Sequence, residues 1–182
     1  MLKGKSMLAH VNPAWLIAAI LLVAVLLRTW WVRRHYVAVS SSAIDWNDGD
    51  TIYYTSSGRR SVKIRCSGFD APEMDQAHGR AARDFLRDRI NAAGGISLLP
   101  REVDRFGRIV ADVRLGMDGK GGDLASLMIR SGWAHSYQER AIDRFIGTLP
   151  ARILGRGLWK NSLFGLRVTR PSTHRYKKAY WG

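Results

Sequence analysis

The feature that most constrains this chain is an uninterrupted apolar run near its start, from Ala14 to Leu27. A helix over residues 13–32 would be roughly 30 Å long at about 1.5 Å per residue, which is enough to cross the core of a bilayer. Trp15 lies near one end of this stretch and Trp30 and Trp31 near the other, as in the aromatic belts of membrane interfaces. The sequence therefore predicts one transmembrane helix that holds the protein to a membrane through residues 13–32.

A cleaved secretory signal is the alternative interpretation of this segment. Lys3 and Lys5 precede the apolar run, as they would in a signal peptide. The run is followed, however, by two tryptophans and the pair Arg33-Arg34 rather than by a small-residue cleavage site, which favours an anchor. Basic residues flank both ends almost equally, so the positive-inside rule does not set the orientation.

The charge of the chain is strongly basic and unevenly distributed. A formal net charge of +14 and an isoelectric point of about 10.7 favour polyanionic partners such as nucleic acid or an anionic membrane surface. All 15 acidic residues lie between Asp45 and Asp143, so both ends of the chain are purely basic. Cys66 is the single cysteine, which excludes an intramolecular disulfide and C-x-x-C sites, and its apolar neighbours predict a buried core residue.

After the apolar run, the pattern changes to short alternating segments separated by turn residues, as in an antiparallel meander or small barrel. Strands are predicted over Thr51–Thr55, Ser61–Cys66, Gly95–Leu99 and Ile109–Leu115. Helices are predicted over Gly79–Asn91, after Asp123, and from about Glu139 towards Gly155. The predicted organisation is an anchor and serine-containing linker over residues 1–40, one globular domain over 41–160, and a basic aromatic tail over 161–182. That tail suits single-stranded nucleic acid, an anionic membrane, or solvent.

Three short motifs place charged residues where strands begin or end: Asp48–Thr51, Arg65 followed by Asp70–Glu73, and Asp104–Arg108. Each motif alone is typical of a turn. Together they bring two strand-end carboxylates, a third acid and two arginines into one predicted domain. Hard divalent cations such as calcium prefer carboxylate and carbonyl oxygens, and an arginine fork matches the oxygens of a phosphate.

Taken in order, the motifs Asp-Gly-Asp-Thr, Arg-x-x-x-x-Asp-x-Pro-Glu and Asp-Arg-Phe-Gly-Arg resemble the active-site signature of the staphylococcal nuclease-like, or thermonuclease, family. Gly79-x-x-Ala82, the segment from Leu124 to Tyr137 that contains Ser-Gly-Trp-Ala at 131–134, and the segment 157–159 extend the resemblance, which covers roughly residues 43 to 160. It implies an α+β fold that is mainly β with helices: a five-stranded Greek-key barrel of the OB type with three helices. The predicted transmembrane helix would precede it.

The resemblance also implies a calcium site. Asp50 and Asp70 would bind Ca²⁺ through their carboxylates, and Ala71 would bind it through its backbone carbonyl oxygen. The stretch from Met74 to His78 is shorter than the lysine-rich loop that the best-known members have there. This departure concerns the choice of substrate more than the chemistry.

Five further residues receive roles from the resemblance. Arg65 and Arg108 would bind the scissile phosphate, and Glu73 would activate the attacking water or hold it in line. Arg105 and Tyr137 fall where residues that contact the substrate are expected. A cation and two arginines would stabilise the negative charge that builds on the phosphate oxygens in the transition state.

The expected function is therefore a calcium-dependent nuclease that hydrolyses phosphodiester bonds of DNA or RNA at a membrane, with no protein partner implied. The extracytoplasmic face is expected, because free calcium is plentiful there and a nuclease in the cytoplasm would threaten its host. A catalytically silent OB-type module that binds nucleic acid or protein is the alternative, but it would not need Arg65, Glu73 and Arg108 together. A membrane scaffold acting through its basic tail would likewise leave the carboxylates without a role.

Overall fold

The computed structural model describes residues 13–55, 61–137, 141–160 and 168–181, and within these ranges the side chains of 28–34, 141–145 and 181 lie outside the description. The chain divides into two compact units, Met1–His35 and Tyr36–Gly182. The first unit contains helix α1 (Pro13–Arg34), and the second contains all the other elements.

Helix α1 exposes every large apolar side chain described between Trp15 and Leu27, with Trp15 73% accessible. Among the described residues, no helix combines the length and the hydrophobicity that crossing a membrane requires. The predicted transmembrane helix is therefore not supported. The side chains of Trp30 and Trp31, which were expected at a membrane interface, lie outside the described part.

The second unit is an α+β domain, as expected. Six strands form one sheet in the order β1-β6-β7-β4-β3-β2, and two short strands, β5 and β8, pair separately. The strands are β1 (Val37–Ser40), β2 (Ile44–Trp46), β3 (Thr51–Tyr54), β4 (Val62–Cys66), β5 (Phe69–Asp70), β6 (Gly95–Val103), β7 (Ile109–Leu115) and β8 (His135–Ser136). The helices are α2 (Gly79–Ala92), α3 (Leu124–Arg130), α4 (Ala141–Ile153) and α5 (Pro171–Trp181).

The six-stranded sheet is curled, and the reason is the short connection between its two edge strands. β1 and β2 lie at opposite edges, and in a flat sheet they would be about 24 Å apart at roughly 4.8 Å per strand. Only the 3₁₀ turn Ser41–Ala43 separates them, and the four residue steps from Ser40 to Ile44 span at most about 15 Å. The edges must approach each other, which gives the half-closed shape expected of an OB-like fold.

One detail of the sheet differs from the antiparallel meander that the turn pattern predicted, and another differs from the five strands that the resemblance implied. β4 and β7 pair in parallel, with Arg65 opposite Val110, whereas the other pairs of the sheet are antiparallel. Part of the predicted serine-containing linker, Val37–Ser40, forms strand β1, and Val37 pairs with Leu98 of β6. The sheet therefore has a sixth strand, β1, which its short, serine-containing sequence did not indicate.

The core lies between the concave sheet and helices α2 and α3. Helical spacing predicts that Ala82, Phe85, Leu86 and Ile90 form the inner face of α2, and the structure buries all of them except Phe85, which is partly buried. Asp123 caps α3 by accepting a hydrogen bond from the Ser126 backbone. Cys66 is fully buried, and burial raises the pKa of its thiol to about 12, which confirms the core role expected for it.

Candidate active site

The first motif is a tight turn that presents Asp50 at the start of β3. Asp48 Oδ1 accepts hydrogen bonds from the backbone N–H groups of Asp50 (3.0 Å) and Thr51 (2.7 Å). Gly49 packs closely against the second motif, because a Cβ added there would lie 2.6 Å from the Cβ of Ala71. The sequence indicated a turn, but this close approach shows why the turn needs a glycine at its centre.

Arg65 joins the two predicted metal ligands. Its guanidinium forms an ion pair with Asp50, and its Nη2 lies 3.0 Å from Asp70 Oδ1. Both aspartates are almost fully buried, with 3% and 5% of their surfaces accessible. Buried carboxylates require such partners, because leaving them unpaired away from water is costly. The structure therefore brings the two carboxylates to the two terminal nitrogens of one guanidinium.

Asp50 is also hydrogen-bonded to the backbone of the second motif. Its Oδ2 accepts from the Ala71 N–H at 2.9 Å, and its Oδ1 accepts from the Thr51 hydroxyl at 2.9 Å. Each carboxylate oxygen has two lone pairs, so Oδ2 keeps one for a further ligand. Asp50, Asp70 and Ala71, the three predicted calcium ligands, are thus adjacent.

Asp70 owes its position to the small second sheet. In this sheet Asp70 of β5 pairs with His135 of β8, and the Tyr137 N–H donates to the Gly68 carbonyl at 3.0 Å. His135 is buried, and burial, aided by the positive charge of Arg170, lowers its pKa to about 4. It is therefore neutral at physiological pH. The Tyr137 side chain is 68% accessible beside this pairing, in a position open to a substrate.

Glu73 follows Asp70 on the turn that leads to α2. The backbone of this turn is closed by hydrogen bonds from Gln76 N–H to the Glu73 carbonyl and from Gly79 N–H to the Gln76 carbonyl. Gly79 is buried against it, and a Cβ there would lie 1.8 Å from the Glu73 carbonyl oxygen. About a third of the Glu73 side chain (31%) is accessible, so water reaches its carboxylate.

Arg108 and Arg105 lie on the hairpin between β6 and β7. Arg108 is held by Asp104, with its Nε 2.8 Å from Asp104 Oδ2. Burial tends to raise the pKa of Asp104, but hydrogen bonds from the backbone and side chain of Arg108 outweigh it and the net pKa is lowered. Arg105 stacks on the exposed ring of Phe106, 4.8 Å from its centre.

The register of the sheet relates Arg108 to Arg65. Arg65 lies opposite Val110, and Arg108 lies two residues before Val110, immediately before β7 begins, so both arginines lie at the same end of the β4–β7 pair. Their Cα positions are then about 8 Å apart, given the spacings within and between strands. Among the described residues, Arg108 forms an ion pair with Asp104 and none with the buried aspartates.

Arg175 contacts two of the predicted site residues, and no motif indicated this contact. It lies on α5, and its Nη1 contacts Glu73 Oε1 at 2.6 Å while both of its terminal nitrogens contact Asp70 at 3.2–3.3 Å. Burial tends to lower the pKa of Arg175, but the hydrogen bonds and charges of Glu73 and Asp70 raise it overall. The only signal in the sequence was the basic charge of a tail whose contacts are about 100 residues away along the chain.

The oxygen donors at this site suit a hard cation. Within the described ranges, no three His, Cys, Asp or Glu side chains converge closely enough to form a metal site alone. A cation here would thus take the carboxylates of Asp50 and Asp70 and complete its shell with a backbone carbonyl and water, as calcium often does. The chemistry of the donors fits the predicted ligand set.

The chain is similar in sequence to a family model and to known nucleases. The family model described as staphylococcal nuclease homologue matches residues 63–161. An uncharacterized endonuclease of Escherichia coli is 34% identical over 117 residues, which cover 63% of this chain and 73% of that protein. A micrococcal nuclease of Shigella flexneri is 31% identical over 123 residues, which cover 63% of this chain and 70% of that protein.

The matched range contains Arg65, Asp70, Glu73 and Arg108, and it ends before α5. These findings confirm the prediction of an enzyme of the nuclease, hydrolase class and disfavour a catalytically silent module. By its motifs, its curled sheet and the extent of these matches, the chain belongs to the staphylococcal nuclease homologue family.

Proposed function

We propose that this protein is a calcium-dependent nuclease that hydrolyses phosphodiester bonds of DNA or RNA. The observation that carries the proposal is the guanidinium of Arg65 between two buried carboxylates, Asp50 and Asp70, with the accessible carboxylate of Glu73 on the next turn. The endonuclease and the micrococcal nuclease named above support this choice of substrate class.

The arginines would bind and polarise the phosphate. Arg65 lies at the predicted metal-ligand pair and Arg108 lies at the same end of the β4–β7 pair, so a phosphate between them would accept hydrogen bonds from both forks. Negative charge grows on the phosphate oxygens in the transition state, and these positive groups bind it more strongly then than in the ground state. Arg105 and the exposed Tyr137 would contact the flanking nucleotides.

Glu73 would act on the attacking water. Its carboxylate accepts a hydrogen bond from the water and takes its proton as the new P–O bond forms and the ester P–O bond to the leaving oxygen breaks. Asp50, Asp70 and the Ala71 carbonyl would hold calcium. When bound, that ion would supply positive charge next to the phosphate oxygens.

A cleavage assay with metal control tests this function. The full chain is incubated with end-labelled single-stranded DNA and, separately, RNA, in calcium, in zinc or in excess chelator. We expect cleavage with calcium and none with zinc or chelator, because zinc prefers nitrogen and sulfur ligands in a tight tetrahedron. Full cleavage in chelator would refute the calcium requirement, and no cleavage under any condition would refute the nuclease proposal.

We also propose that α1 attaches the enzyme to a membrane and that the catalytic unit acts on the extracytoplasmic side. The support is the row of exposed apolar side chains from Trp15 to Leu27, which lose contact with water on entering a lipid surface. Fractionation tests it: the full chain should sediment with membranes, and a chain starting at Tyr36 should not. That start keeps β1, which a start near Ser40 would remove from the sheet.

The side of the membrane has its own test. Protease added to intact cells should digest the catalytic unit, and protection of the unit until the cells are lysed would place it on the cytoplasmic side instead.

A further inference from the structure

Helix α5 contacts the acidic centre of the site through Arg175. The guanidinium reaches Asp70 through both terminal nitrogens and Glu73 through one, at 2.6–3.3 Å. Asp70 is a predicted metal ligand and Glu73 is the predicted base. The side chain of Arg175 therefore contacts both a predicted metal ligand and the predicted base.

This contact is one part of a larger docking surface. The same turn of the chain carries Asp75, whose carboxylate contacts Lys178 at 2.6 Å and His174 at 3.2 Å. Residues 174 and 178 are one helical turn apart, so they present a single face of α5 to Asp75. Gln76 adds a hydrogen bond of 2.6 Å from its amide to the Thr169 carbonyl. Several independent contacts thus fix α5 on the turn between β5 and α2.

Charge explains why α5 docks there. Asp50 and Asp70 share the guanidinium of Arg65, and the carboxylate of Glu73 contacts Arg175 beside them, so without Arg175 this group carries more negative than positive charge. The guanidinium of Arg175 reduces that excess, and a bound divalent cation would do the same. The Arg175 guanidinium and the cation would both bind the oxygens of Asp70, so each weakens the binding of the other. The same guanidinium also engages the Glu73 Oε1 oxygen, so Arg175 competes with water for one oxygen of the predicted base.

We propose that α5 is an autoinhibitory segment in which Arg175 takes the place of the metal cation, so that calcium must displace this helix before the site can work. The proposal rests on the proposed function, because it assigns calcium and catalysis to the same carboxylates. Calcium concentration then sets the fraction of enzyme with α5 undocked. Undocking frees Asp70 for the metal and Glu73 for water in one step.

Direct measurement of calcium binding to the full chain tests the inference without any substrate. Arg175→Gln removes the competing cation, and it is expected to bind calcium about tenfold more tightly than wild type in a calorimetric titration, which corresponds to about 1.4 kcal/mol. Lys177→Gln is the matched control, because Lys177 is exposed on the same helix and forms no ion pair with any described residue. This control removes the same charge and should leave calcium affinity near the wild-type value.

A second variant guards against a local effect of the first. Asp75→Asn weakens the docking of α5 through His174 and Lys178 and leaves Arg175, Asp70 and Glu73 unchanged. It should also tighten calcium binding, and in a nuclease assay both variants should need less calcium for half-maximal cleavage while keeping the wild-type rate at saturation. Unchanged affinity in both variants would overturn the proposal. A lower saturated rate in Arg175→Gln with unchanged affinity would make Arg175 a substrate-binding residue instead.

The two proposals fail in different ways. If calcium binding tightens in the variants but no form of the protein cleaves nucleic acid, the nuclease proposal is refuted. The competition between α5 and calcium for the same carboxylates then still stands. If wild type cleaves in calcium but neither variant changes the calcium dependence, the nuclease proposal stands and the autoinhibitory role of α5 is refuted.

Discussion

Replacing Glu73 by Gln is expected to lower turnover by about 100-fold or more, because the amide cannot take a proton from the attacking water. The substitution keeps the size of the side chain, and 31% of that side chain is accessible, so the fold should tolerate it. Saturating calcium and a range of DNA concentrations separate turnover from substrate binding. We expect the fall in turnover with little change in the Michaelis constant.

The control for this variant is Glu102→Gln, which makes the same chemical change at an exposed position of β6. It should keep wild-type turnover and stability. Because Glu73 also pairs with Arg175, Glu73→Gln should bind calcium more tightly even as it loses activity. A Glu73→Gln variant that turns over at the wild-type rate would remove Glu73 from the catalytic step.

Replacing Gly79 by Ala should also lower turnover by about 100-fold, although Gly79 has no functional group. The added methyl would lie 1.8 Å from the Glu73 carbonyl oxygen and 2.7 Å from its carbonyl carbon, so α2 or the Glu73 turn must move. A displacement of about 1 Å at a catalytic group can cost about 10²-fold in rate. Overpacking of this kind also costs about 1–3 kcal/mol of unfolding free energy.

Gly122→Ala is the matched control, since nothing lies within 4 Å of the position of its added methyl. It should change neither turnover nor denaturant midpoint. The discriminating measurement is turnover at a temperature where the Gly79→Ala protein is still fully folded. Wild-type turnover there would show that the position of Glu73 does not depend on its close contact with Gly79.

Local sequence information was sufficient for most elements of the domain. Periodicity and capping, which depend on residues close together along the chain, predict three strands and two helices. The strands are those that begin at Thr51, lie within 61–66 and begin at Ile109, and the helices are those that begin at Gly79 and follow Asp123. The carboxylates of Asp50 and Asp70 were expected together because both stand at strand ends, and the structure places them on one guanidinium. The roles of these residues in catalysis and metal binding stay predictions.

The sequence by itself determined those elements and the chemistry of the motifs, because turn preferences, helix periodicity and the donor set of a short motif depend on residues close along the chain. Tertiary structure alone decided three things: the pairing of β1 with β6, the parallel pairing of β4 with β7, and the docking of Arg175 on Asp70 and Glu73. Each joins segments more than 40 residues apart, or about 100 for Arg175, and is selected by burial and charge balance in the folded domain. A short strand with two exposed residues and a basic tail carry little local signal of such partners, so only the assembled fold reveals that α5 contacts Asp70 and Glu73.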